Sequence, residues 1–145
     1  MAEELVVKEQ LTSDLIVAGD ELTKLLLRDH EFALVCSLWL YTAAANRWRL
    51  DFSSPLVDSY GPLHAYKIIQ EKLAPFLQKN EAVPLDSISV LSPDHIIVNS
   101  LRSLGHFETL DLPPGPTPRV RVPRRISLSR VGDVFIDDAF IYFIR

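Results

Sequence analysis

The sequence predicts a single α+β domain, with an antiparallel or mixed sheet of about five strands carrying three helices in the order α-β-β-α-β-α-β-β. Three observations lead there. Pairs of apolar runs near both ends of the chain read as hairpins. Amphipathic stripes of helical period interrupt them irregularly, unlike the strand–helix alternation of a doubly wound sheet. Finally, 145 residues with 48% hydrophobic and 23% charged side chains suit one packed core, so residues 1–145 are taken as one domain.

The first helix rests on Leu11, Leu15, Gly19, Leu22 and Leu26, spaced by three and four. Thr12 or Ser13 can cap it, Asp14 suits its first turn, and Asp20, Glu21, Lys24 and Arg28 make the wet face. Gly19 weakens a helix interior by about 1 kcal/mol, so it either permits close packing or is simply tolerated. From Phe32 to Tyr41 both alternating faces are apolar, which predicts a central strand covered on both sides. Trp48, Leu50 and Phe52 then alternate with Arg47, Arg49 and Asp51, a strand with one buried and one wet face that closes a hairpin.

Ser53 to Gly61 reads as a loop. Pro62 opens a second helix with the stripe Leu63, Tyr66, Ile69 and Leu73, and Pro75 should end or kink it. Residues 78–84 are polar, and Ile88 and Val90 mark a short strand. Ser92-Pro93-Asp94 signals the start of a third helix over about 93–104, stopped by Gly105. Residues 105–123 hold five of the ten prolines and read as a stiff loop within the domain. Gly132-Asp133 is a two-residue turn joining Ile126 and Leu128 to a long final strand, Val134 to Ile144.

Composition narrows the function. A single cysteine excludes a disulfide framework, and Cys36 lies in an apolar run, which fits a buried inert thiol. The acidic start Met1-Ala2-Glu3-Glu4 is unlike a secretory signal, and no apolar run reaches the 20 or so residues that span a bilayer, so a cytoplasmic protein without membrane contact is expected. Formal net charge is −4, unevenly spread: residues 1–111 carry 9 basic and 16 acidic side chains, residues 112–145 carry 6 and 3.

No phosphate-cradling glycine motif and no G-x-S-x-G is present. His30, His64, His95 and His106 are scattered, so no metal and no cofactor is expected. The acids that stand out are Asp137 and Asp138, which interrupt an apolar strand and point to opposite faces of it. With Asp51, one of them could hold a divalent ion in a hydrolase or nuclease; paired with a nearby arginine, either would be structural. Arg119, Arg121, Arg124, Arg125 and Arg130 could contact phosphates or an acidic partner, yet no aromatic residue interleaves them and the chain is acidic overall. Trp39 and Trp48 could form a partner patch or pack on the sheet.

Three segments carry a resemblance: Leu38-Trp39-Leu40-Tyr41 with Arg47-Trp48-Arg49-Leu50, Val90-Leu91-Ser92-Pro93-Asp94, and Phe135-Ile136-Asp137-Asp138-Ala139-Phe140-Ile141-Tyr142. In these the chain resembles a group of small uncharacterised bacterial proteins of about this length. The resemblance implies a bacterial source and transfers no activity. The expected function is therefore a non-catalytic interaction, with another protein or with itself. Metal-dependent hydrolysis and nucleic-acid binding are the alternatives.

Overall fold

In the computed structural model, residues 7–79, 83–103 and 124–145 are described. The prolines of 105–123, Arg119, Arg121, Leu104 and Gly105 lie outside that set. Five strands form one mixed sheet in the order β3-β2-β1-β5-β4. They are β1 (Cys36–Thr42), β2 (Arg47–Ser53), β3 (Ile88–Leu91), β4 (Arg124–Val131) and β5 (Val134–Ile144). The α+β expectation is met, and β1 lies at the centre, as its two apolar faces require.

Four helices are described: α1 (Ser13–Leu27), α2 (Leu56–Tyr60), α3 (Pro62–Lys79) and α4 (Ile96–Ser103). The β2–β3 pair is parallel, and α2 and α3 supply the crossover that parallel strands need. One face of the sheet packs Trp39, Trp48, Leu50, Phe52 and Tyr142 against Ala18, Leu22 and Leu26 of α1 and Ala65, Ile69 and Leu73 of α3. The other packs Leu38, Leu40, Ala139 and Ile141 in a cluster with Val98 and Leu101 of α4.

The structure corrects several boundaries. The five residues of α2 form inside the stretch read as a loop, anchored by buried Leu56. Pro75 neither ends nor visibly stops α3, which runs on to Lys79; Phe76 beyond it packs against the core, and that contact offsets the lost backbone bond. The strand predicted from Phe32 starts only at Cys36, because Ala33 sits at φ +52 and turns the chain into the sheet. Thr12 does cap α1, its hydroxyl accepting from the Leu15 amide. Ser92 instead closes a turn by accepting from Asp94, and α4 begins three residues later than predicted, with His95 Nδ1 accepting from Ile97.

The Gly132-Asp133 turn forms as predicted: Val131 pairs with Val134, and Gly132 has φ +56. Just before it, Leu128 sits at φ +46 in the left-handed region. There the alternation of β5 breaks. Ile136 joins the α4 face, whereas Asp138, Phe140 and Tyr142 lie on the α1 face. A second break follows at Tyr142 and Phe143, which both lie on the α1 face where the register with β1 shifts, so the period-two pattern of Val134–Ile144 holds only in three separate pieces.

Candidate functional site

Among the described residues, the densest polar assembly lies where the β1–β2 hairpin meets β4, β5 and the segment before α1. Asp138 is its centre, with a side chain only 4% exposed. Arg125 grips it with two parallel bonds, Nε to Oδ1 at 2.6 Å and Nη2 to Oδ2 at 2.7 Å. Ser127 donates to Oδ1 at 2.9 Å, and Lys8 Nζ donates to Oδ2 at 2.7 Å. The register explains the convergence: Ser127 is directly opposite Asp138, and Arg125 sits opposite Phe140 on the same face. Burial alone would raise the Asp138 pKa. The bonds from Arg125, Lys8 and Ser127 and the Arg125 charge outweigh it and hold the carboxyl well below the usual range.

Two aromatic rings complete the assembly. Lys8 Nζ lies 4.5 Å from the Tyr41 ring centre and 5.7 Å from that of Trp48, while the Arg125 guanidinium is 5.2 Å from Trp48. Residues 7–11 cross this end of the sheet in an extended path. Asn46 Nδ2 donates to the Val7 carbonyl, the Glu9 amide donates to Asn46 Oδ1, and Trp48 Nε1 donates to the Glu9 carbonyl. Tyr41 holds Asn46 in place by donating to the same Oδ1 at 2.6 Å. A shallow cavity of about 450 Å³ opens beside Lys8, Trp48, Arg125 and Asp138.

Asp51 is elsewhere. It pairs in register with Leu38 and so faces the α4 side, on the opposite face of the sheet from Asp138. The two acids cannot share an ion, and among the described residues no group of three or more metal-ligating side chains converges. Asp51 is fully buried, which corrects the expectation that the polar side of β2 is wet along its length. Arg49 reaches it at 2.7 Å, yet burial dominates and pushes its pKa up to about 6. The sign follows from linkage. Between about pH 4 and 6 the native state binds a proton that the unfolded state has released, so stability falls as pH rises through that window. An Asp51→Asn variant should therefore be more stable than the parent by ~1–2 kcal/mol at pH 7.5 and match it near pH 4.5. Urea titrations at the two pH values check this, and a variant weaker at pH 7.5 would show that the Arg49 pair outweighs burial.

The remaining predicted residues scatter. Arg125 is committed to Asp138, Arg130 is exposed opposite Phe135, and Arg124 begins β4 opposite Ile141. Asp137 is half-buried. Trp39 and Trp48 are both core residues rather than a surface patch. The buried Cys36 lies in the α4-side cluster. Sequence reasoning missed Lys8, Tyr41, Asn46 and Ser127; the only signal was an acid interrupting the apolar β5, because its partners come from distant parts of the chain. Among the described residues no helix is long and apolar enough to cross a membrane. No family model matches the chain, and no curated protein or solved structure is significantly similar to it.

The geometry suits holding rather than reacting. Asp138 already accepts from three partners and stays ionised, which makes it a poor proton carrier at neutral pH.

Proposed function

We propose that this chain is a non-catalytic interaction domain that self-associates through the β4–β5 hairpin. The observation that supports this reading is Leu128. A leucine at φ +46 costs about 1–2 kcal/mol of backbone strain. The residue is also 73% exposed, so burial within the chain does not offset that strain. Asparagine or glycine would suit the backbone better, whereas leucine adds apolar contact area. Phe135, 60% exposed, is on the same hairpin, and among the described residues no strand pairs with the outer side of β4. Strained, exposed apolar residues on a hairpin fit a contact surface for a second copy. A cytoplasmic setting fits the single buried thiol.

Light scattering behind size exclusion, from low to high micromolar concentration, tests the reading. The mass should rise from monomer towards dimer. A Leu128→Asn, Phe135→Ser variant should stay monomeric, and should remain folded because asparagine relieves the strain. A parent chain at monomer mass throughout would sink self-association.

A further inference from the structure

The segment before α1 is held in the manner of a bound peptide. Among its described contacts, its backbone bonds come from side chains, not from strand pairing: Asn46 takes the Val7 carbonyl and the Glu9 amide, and Trp48 takes the Glu9 carbonyl. These bonds read no sequence. Between them one side chain points inward, and Lys8 enters a cage of Tyr41, Trp48 and Asp138. Grip at the two flanking residues with one chemically selective pocket between them is how an extended segment is recognised.

We propose that this groove is a receptor for an extended segment carrying a lysine, and that Val7-Lys8-Glu9 is its resident occupant, displaced by such a segment of another protein. The cage chemistry specifies an ammonium. Two ring faces and a buried carboxylate favour a cation. Arg125 already occupies the carboxylate with both arms, so a second planar fork has no matching edge, whereas a point donor fits the remaining lone pair of Oδ2 at 2.7 Å. Displacement is feasible because residues 7–10 are all exposed and their hold is a few hydrogen bonds. The groove takes Arg125 and Asp138 from the β4–β5 hairpin but uses neither Leu128 nor Phe135, so it does not depend on self-association.

The test uses the full chain with Lys8→Ala and Glu9→Pro, which removes the resident ammonium and one of its backbone donors. The probe is a capped peptide of residues 7–11, Val-Lys-Glu-Gln-Leu, with counterparts carrying alanine or arginine in place of the lysine. Binding is followed by NMR at the Trp48 indole N–H. The lysine peptide should bind saturably and at least tenfold more tightly than the alanine peptide, with the parent chain binding it more weakly than the variant. Adding Tyr41→Leu, which removes the nearer ring and leaves the Arg125–Asp138 pair in place, should weaken that preference severalfold. Lysine and alanine peptides that behave alike would overturn the receptor. An arginine peptide that binds as well as the lysine one would overturn the ammonium assignment.

Discussion

A Gly19→Ala variant is expected to unfold at lower urea concentration than the parent, losing ~2–3 kcal/mol, although the same change in an exposed helix interior gains about 1 kcal/mol. The reason is what lies over the helix at that point. A Cβ on Gly19 would sit 2.5 Å from the Tyr142 hydroxyl and 2.6 Å from Trp39 Nε1. Neither group is a flexible tip. The indole N–H is shared between the Leu15 carbonyl and the Tyr142 hydroxyl, and that hydroxyl donates to the Ile16 carbonyl at 2.6 Å. Both side chains are buried, and burial, with the nearby Asp20 charge adding to it, keeps the Tyr142 phenol protonated well above its ordinary range. The methyl must therefore push apart α1 and the sheet or break these bonds. Tyr142→Phe removes the closest atom, so in a double-mutant cycle the alanine should be less harmful on the phenylalanine background by ~1 kcal/mol. A stabilised Gly19→Ala protein would disprove the close approach.

Asp138→Asn carries the second large effect, a loss of ~2 kcal/mol at pH 7. Removing one partner of a sealed ion pair costs about 3–5 kcal/mol, but Arg125 and Lys8 are each nearly half exposed, so water takes up part of the loss. The pH dependence runs opposite to that of Asp51. A carboxyl held below its unfolded pKa contributes stability that is complete above about pH 4 and is lost as pH falls towards its folded value. The gap between parent and variant should thus be constant from pH 7 to 5 and close under acid. Chemical unfolding at pH 7, 5 and 3 reads it, the gap at pH 3 being smaller than at pH 5 but not yet closed; a gap undiminished at pH 3 would mean that the charge is not what stabilises.

The two aspartates show what the chain's patterning reveals and what it hides. Local rules located β1, the β1–β2 hairpin, the Gly132-Asp133 turn and the stripe of α1, because each depends on residues a few positions apart. Pro75 within α3 and the wrenched β5 defeated those rules, because Phe76 and Leu128 are governed by tertiary contact and backbone strain. Asp138 is conspicuous in the sequence, but Lys8 looks like any solvated lysine until folding brings it across the sheet. Asp51 looks like a wet strand residue until the α4 side of the sheet is covered.

The central strand β1 has its hairpin partner β2 at once, yet its other neighbour, β5, is the last of the described strands in sequence order. Trp39 meets Phe140 only after an intervening loop of about a hundred residues has closed, an entropic cost that must be met before the pairing rewards it. During synthesis, then, one edge of β1 waits unpaired until β5 has been made and has emerged from the ribosome. A nascent chain stalled before Val134 would display that edge, rich in leucine and tryptophan, as a template for aggregation.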